Sequence, residues 1–262
     1  MTQGRSRSLL VLLLLLSACQ PEPVSQAPAT APMVVNVTGR LDRGGSDECR
    51  YRIRYPALAP EFATLDSALR TYAATCKRDF LNACAAAPPQ SENAMGWELD
   101  LSFDVRSVTR DFVSILGEGS QFTGGAHGNP MLASFTYSRR GKRVLGLLDL
   151  FSDPPTALAL LSSASRVALL APAAAKAGGS AKIPVEQQHR IHDGTEPKVE
   201  NFTTFLIEAG PGDKAQGLSL LFPTYQIAPY ADGPQHVSLP AQAFVAQLKA
   251  EYRGAFVTPA AH

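Results

Sequence analysis

The sequence predicts an α+β fold with mostly antiparallel sheets packed against helices. One observation is strict alternation of apolar and polar residues, as in 97–105, which is typical of half-buried strands. A second is an apolar stripe at helical spacing in 61–80, which indicates a helix with one buried face. The strand-like segments form two groups along the chain, and helices accompany each group.

The first group contains an arginine-rich strand in which Arg50, Arg52 and Arg54 alternate with apolar residues. Residues 85–96 and 117–130 are predicted loops, and 138–143 form a hairpin turn with Gly141 available for positive φ. In chain order, the predicted elements are a strand at 33–41, a strand at 49–55, a helix at 61–80 and strands at 97–108, 112–116 and 132–138.

The second group starts from Asp153-Pro154-Pro155, which is a helix-start signal because proline fits the first turn of a helix. Residues 171–184 are rich in alanine and glycine and predict a loop or a frayed helix end. The elements of this group are a helix at 158–170, strands at 202–208, 218–222 and 236–239, and a last helix that Pro240 opens.

The N-terminus predicts export and a lipid anchor. Arg5 and Arg7 precede the apolar run 9–16, which has the form of a secretory signal and is too short to span a bilayer. Residues 16–19 resemble a bacterial lipobox, so we expect 1–18 to be a signal peptide and Cys19 to carry acyl chains. Residues 19–32 predict a proline-rich tether. Gln20 after the cysteine favours the outer membrane, facing the periplasm; a Gram-positive surface is the alternative.

The charge balance argues against nucleic acid as a partner. The chain has 24 basic and 23 acidic side chains, and loss of residues 1–18 removes two arginines and no acid. The mature chain then has a net charge near −1, so no large basic field is available.

Three cysteines remain after the lipobox, and an exported chain can form disulfides. Cys49 lies roughly 20 Å along its strand from the turn, and Cys76 lies roughly 21 Å along the helix. These similar distances predict a disulfide between Cys49 and Cys76, with Cys84 as the competing partner.

No catalytic or metal motif stands out. His127 with a carboxylate such as Asp149 is the candidate for a hydrolase, but the chain has no Gly-x-Ser-x-Gly elbow. His189 and His192 share a helical spacing, yet no third metal ligand is evident. We therefore expect no catalysis, no metal and no cofactor, and we expect His127 to fix its loop by hydrogen bonds.

Two glycine- and aromatic-rich loops, 122–129 and 222–233, are the candidate binding surfaces. Their glycines permit backbone conformations that other residues avoid, and prolines hold the aromatic rings at low entropic cost. The candidate binding residues are Phe122, Thr123, Gly124, Gly125, His127, Asn129, Tyr225, Pro229 and Tyr230.

The segments FTGGAHGN, LLDLF and LLFPTYQIAPYADG in this order resemble the RsiV-type extracytoplasmic domain family over roughly residues 35–250. That family includes the lysozyme-binding anti-sigma factor RsiV and the N-terminal module of the peptidoglycan deacetylase PdaC. The resemblance implies two conjoined subdomains, here 33–150 with the first loop and 151–262 with the second.

The resemblance, together with the lipobox, implies a lipid-anchored binding protein of the cell envelope that contacts lysozyme or peptidoglycan. The alternatives are a hydrolase that uses His127 with a carboxylate, and a structural envelope lipoprotein without a soluble ligand.

Overall fold

The computed structural model describes residues 39–87 and 96–257. The predicted signal peptide, the lipidation site at Cys19 and the tether at 19–32 lie outside these residues, as does most of the predicted strand at 33–41. The division into subdomains between residues 150 and 151 stays a prediction.

The described chain contains nine strands and four α-helices, together with short 3₁₀ turns. The strands are β1 (Leu41–Gly45), β2 (Cys49–Arg54), β3 (Trp97–Val108), β4 (Phe112–Phe122), β5 (Asn129–Ser138), β6 (Arg143–Leu145), β7 (Phe205–Ala209), β8 (Ala215–Phe222) and β9 (Gln235–Pro240). The helices are α1 (Ala63–Ala85), α2 (Pro154–Ala177), α3 (Val185–Gly194) and α4 (Ala250–Arg253).

Strands β1 to β6 form one sheet in sequence order. All neighbours are antiparallel except β2 and β3, which are parallel because α1 lies between them and carries the chain back to the same end. The alternation in β3 puts Leu99, Leu101 and Phe103 on the inner face, where they are buried with the apolar stripe of α1. The opposite, outer face carries the polar residues of β2 and β3.

Strands β7, β8 and β9 form a second, antiparallel sheet. Its core includes Phe205, Leu218, Leu220 and Phe222, and α2 contributes Leu161. Helix α2 is long and apolar enough to cross a membrane, with a mean hydropathy of 1.5 over its most apolar window. The buried residues of α2 are Ala157, Leu161, Ser162 and Ser165, and the first two belong to this core. The predicted α+β class, with mostly antiparallel sheets, is confirmed.

The two sheets are joined by hydrogen bonds from the backbone of β7 to side chains of β4 and β5. The Ile207 N–H donates to Ser114 Oγ at 3.0 Å, and the Phe205 N–H donates to Ser134 Oγ at 2.8 Å. Ser114 is fully buried, so its hydroxyl satisfies a backbone group that would otherwise have no partner. These serines fix β7 against one end of the outer face of the first sheet.

The predicted disulfide between Cys49 and Cys76 is wrong. Cys49 pairs with Cys84, at a Cα–Cα distance of 6.4 Å, and Cys76 is free and half-buried. The prediction compared only how far Cys49 and Cys76 lie from the turn, measured along the strand and along the helix. In the structure α1 continues to Ala85, so Cys84 lies over the start of β2. One turn before Cys76, Tyr72 packs on aromatic rings of β3 and β5 rather than on β2.

Several element boundaries also differ from the predictions. Strand β1 covers Leu41–Gly45, beyond the end of the strand predicted at 33–41, and α2 continues to Ala177 through a stretch predicted as a loop or a frayed helix end. The helix predicted after Pro240 is replaced by two 3₁₀ turns and the single turn of α4. Phe244 and Leu248 are nevertheless buried in the core, although the backbone that carries them is not a regular helix.

Candidate functional site

The two loops that the sequence singles out meet at the protein surface. The first connects β4 to β5 and the second connects β8 to β9, and His127, Tyr225 and Tyr230 lie side by side where they meet. We call these three residues the aromatic patch. Tyr225 is 57% exposed, Tyr230 is 37% exposed, and His127 is exposed. Exposed rings of this size are rarely clustered unless they contact something.

The rings of His127 and Tyr230 are stacked. Their centroids are 4.0 Å apart and their planes differ by 20°. The ring of Tyr225 lies 5.9 Å from that of Tyr230 at a tilt of 35°. The Gly128 carbonyl is within reach of His127 Nδ1 at 3.2 Å and accepts a long hydrogen bond from the Tyr230 hydroxyl at 3.5 Å. Stacked aromatic pairs contribute about 0.5–1.5 kcal/mol beyond their buried area, so the stack ties the loops together.

The first loop needs glycine to take this course. Gly124 and Gly125 have φ of +92° and +100°, a region that other residues rarely adopt. A Cβ on Gly128 would lie 3.4 Å from the Cβ of Ser120. The loop therefore folds back over the outer face of the first sheet before Asn129 starts β5.

The second loop is anchored from beneath. Gln226 Nε2 donates to the carbonyls of Gly194 and Asn201 at 2.8 and 3.0 Å, and Ile227 is buried. The sequence analysis missed Gln226, since no spacing or composition distinguishes it from an exposed polar residue. Its amide donates hydrogen bonds to two carbonyls of other segments, and these bonds hold the loop in place.

Tyr225 has a strained backbone. Its φ is +74°, in the left-handed region that costs an ordinary residue about 1–2 kcal/mol. Its N–H donates to the Ala228 carbonyl at 3.1 Å, which closes the loop around it. The ring that this conformation presents is mostly exposed, so core packing does not explain the strain. Strain of this kind is concentrated at functional sites.

The other candidate residues frame the patch without joining it. Phe122 ends β4 and Thr123 follows it, Asn129 begins β5, and Pro229 precedes the short turn that holds Tyr230. His127 Nδ1 lies 3.2 Å from the Gly128 carbonyl of its own loop, and its exposed ring also stacks on Tyr230. That hydrogen bonds of His127 fix the loop stays a prediction.

Asp149 has a structural role instead of pairing with His127. It accepts hydrogen bonds from Arg143 Nη1 and from the Gly146 N–H, both at 2.9 Å. Partial burial alone would raise the pKa of Asp149, but these two bonds outweigh it and hold the pKa below its usual value. Its carboxylate caps the turn that leads into α2.

The histidine pair of α3 does not form a metal site. His192 Nδ1 lies 3.4 Å from the neighbouring Asp193 carboxylate. Within residues 39–87 and 96–257, no group of three or more metal-ligating side chains comes together.

Residues 148–242 match the family described as a protein of unknown function, DUF3298. The chain is 27% identical over 202 residues to the peptidoglycan-N-acetylmuramic acid deacetylase PdaC of Bacillus subtilis. That match covers 77% of this chain but only 39% of the deacetylase.

Two crystal structures of DUF3298 proteins have the same fold. One, from Pseudomonas aeruginosa, has a TM-score of 0.59 and 19% identity and covers 82% of this chain and 95% of its own. The other, from Bacteroides fragilis, has a TM-score of 0.55 and 15% identity and covers 85% of this chain and 97% of its own. The two structures show the same fold, and the matches of residues 148–242 to DUF3298 and of this chain to PdaC support the resemblance to the RsiV- and PdaC-type domain family.

Proposed function

We propose that this chain is a non-catalytic binding module of the cell envelope and that its aromatic patch contacts the glycan strands of peptidoglycan. The observation that carries the proposal is the exposed stack of His127 on Tyr230, which joins two loops about a hundred residues apart in sequence. The sequence match to a protein named as a peptidoglycan deacetylase supports the choice of ligand.

The chemistry of the patch suits a sugar. The faces of sugar rings carry C–H groups that pack against aromatic rings, and the edges carry hydroxyls that hydrogen-bond to loop backbone. Tyrosine offers a large, rigid contact surface with few rotatable bonds, so little entropy is lost on binding. The anchored loop and the strained backbone of Tyr225 hold the rings in place before the ligand arrives.

The predicted lipid on Cys19 and the tether at 19–32 would hold this module close to the cell wall, on the periplasmic side of the outer membrane. A two-signal or multiply acylated anchor gives stable attachment, whereas one acyl chain binds only marginally.

Lysozyme is the second candidate ligand, and the resemblance to the RsiV-type family supports it. The same patch would serve, because exposed tyrosines on rigid loops are frequent contact residues at protein interfaces. A hydrolase that uses His127 is less well supported, since His127 stacks on Tyr230 and Asp149 binds Arg143.

Binding of the purified full-length chain to insoluble peptidoglycan, and to c-type lysozyme by calorimetry, tests the proposal. We expect Tyr230→Ala to weaken peptidoglycan binding at least about tenfold, which corresponds to about 1.4 kcal/mol. His189→Ala, which removes an exposed histidine of α3 outside the patch, is the matched control and should bind normally. Unchanged binding by Tyr230→Ala would refute the role of the patch, and binding to lysozyme alone would favour the second candidate.

A further inference from the structure

We infer that the binding surface continues from the aromatic patch along the outer face of the first sheet to a groove containing Arg43 and Arg50, and that the ligand is therefore a carboxylate-bearing glycan. The inference rests on the proposed glycan-binding role and adds the charge of the ligand to it. It follows from the strand register, the position of the first loop and the pairing of the arginines.

The register places the groove and the first loop on one face. Arg43 of β1 is opposite Arg52 of β2, Arg52 is opposite Asp100 of β3, and Asp100 is opposite Ser120 of β4. Residues opposite each other in a sheet point to the same face, so these four side chains form one row across four strands. Gly128 of the first loop lies directly beside Ser120.

The next row runs in the same direction. Gly45 is opposite Arg50, Arg50 is opposite Glu98, and Glu98 is opposite Phe122, the first residue of the first loop. Neighbouring strands are about 4.8 Å apart, so Arg50 lies roughly 10 Å from Phe122 across the sheet. A short oligosaccharide that passes over Phe122, beside the patch, can reach Arg50 across that distance.

A groove of about 900 Å³ lies at the far end of these rows. It is formed by the β1–β2 hairpin and lined by Arg43, Arg50 and Arg52 together with Asp47 and Glu98. Gly44 and Gly45 of the edge strand β1 also line the groove.

Two of the arginines in this groove are available to a ligand. Arg52 and Arg54 both bind the carboxylate of Asp100, at 3.2 and 2.7 Å. Arg43 and Arg50 are exposed and form no ion pair with any residue in the described ranges 39–87 and 96–257. A guanidinium group presents parallel N–H donors that match a carboxylate, so these two side chains select an acidic group.

The acids of the groove limit what can bind. Glu98 is opposite Arg50, and Asp47 lines the same space. A diffuse polyanion would be repelled by them, whereas a single carboxylate on a sugar or its substituent can reach the arginines directly. Removal of the Glu98 charge should therefore strengthen binding of the acidic ligand.

Calorimetry with the full-length chain tests this with three probes: soluble muropeptides, the same muropeptides with their carboxylates converted to methyl esters, and a neutral oligomer of N-acetylglucosamine. We expect Arg43→Ala/Arg50→Ala to weaken muropeptide binding by about ten- to a hundredfold and to have at most a small effect on the two probes that lack carboxylates. Arg78→Ala/Arg140→Ala, which removes the same charge from exposed positions elsewhere, should bind like the wild type. Glu98→Gln should bind muropeptides more tightly.

The outcomes separate this inference from the proposed function. If Tyr230→Ala weakens all three probes while the groove variant binds muropeptides normally, the arginine groove is refuted and the patch stands. If the groove variant weakens binding equally for the probes with and without carboxylates, the selection for carboxylates is refuted. If the wild type binds none of the probes, the glycan-binding role and this inference both fail.

Discussion

The positive φ of Tyr225 gives a test of backbone strain, because two substitutions that both remove the ring should differ in stability. At φ +74° a residue with a Cβ is strained by about 1–2 kcal/mol, and glycine is not. Glycine also gains backbone entropy in the unfolded state, which opposes this by about 0.5–1 kcal/mol. We therefore expect Tyr225→Gly to be about 0.5–1 kcal/mol more stable than Tyr225→Ala.

The comparison between these two variants isolates the backbone. Both lose the contact with Tyr230, which is worth about 0.5–1.5 kcal/mol, so that loss cancels. At Ala168, an exposed position of α2, alanine should be more stable than glycine. Ala168→Gly should lower the free energy of unfolding by about 1 kcal/mol, because glycine is a poor helix former.

Urea unfolding gives the required free energies, provided that the m-values of the variants agree. Binding of peptidoglycan should fall in both Tyr225 variants, since the ring is absent from each. A Tyr225→Ala protein as stable as Tyr225→Gly would refute the argument that the loop stores strain in order to present this ring.

Three further perturbations test the fold and its pH dependence. Cys84→Ser should lower the free energy of unfolding by about 4 kcal/mol, because the disulfide closes a loop of 35 residues, whereas Cys76→Ser should retain the disulfide in peptide mapping. Ser114→Ala should cost about 1–3 kcal/mol in urea unfolding, since it leaves a buried N–H of β7 without an acceptor. Asp149 has a lowered pKa, so its stabilising contribution is present above the unfolded value of 3.8 and is lost as the pH falls through the folded value. The free energy of unfolding should therefore fall less steeply from neutral to acidic pH in Asp149→Asn than in the wild type, and an unchanged slope would contradict this.

The sequence predicts the regular elements of the fold best where the pattern is long. Strand β3 is predicted with its observed ends, Trp97 and Val108, because the alternation over 97–105 fixes both the period and the buried face. The end of α2 is not predicted, since its alanines favour a helix while the neighbouring glycines favour a loop. The disulfide prediction fails for a different reason. It used distances along the chain, and these do not determine the direction in which the helix crosses the sheet.

The sequence predicts which residues form the candidate site but not how they are arranged in space. The glycines, the histidine and the tyrosines single out both loops, yet only the folded chain brings His127 onto Tyr230. Gln226 has no sequence signal, since its importance comes from the carbonyls of Gly194 and Asn201, which reach it through tertiary contacts. The same holds for Arg43 and Arg50, which share a groove because β1 and β2 pair.

The central claim is that the aromatic patch is the contact surface for an envelope glycan, and mapping by NMR tests it most directly. Isotope-labelled protein would be titrated with soluble peptidoglycan fragments while its backbone and aromatic signals are followed. We predict that the largest shifts fall on His127, Tyr225 and Tyr230 and that the tyrosine ring protons show intermolecular contacts with sugar ring protons. Shifts confined to other surfaces such as α3, or no shifts at all, would contradict the claim.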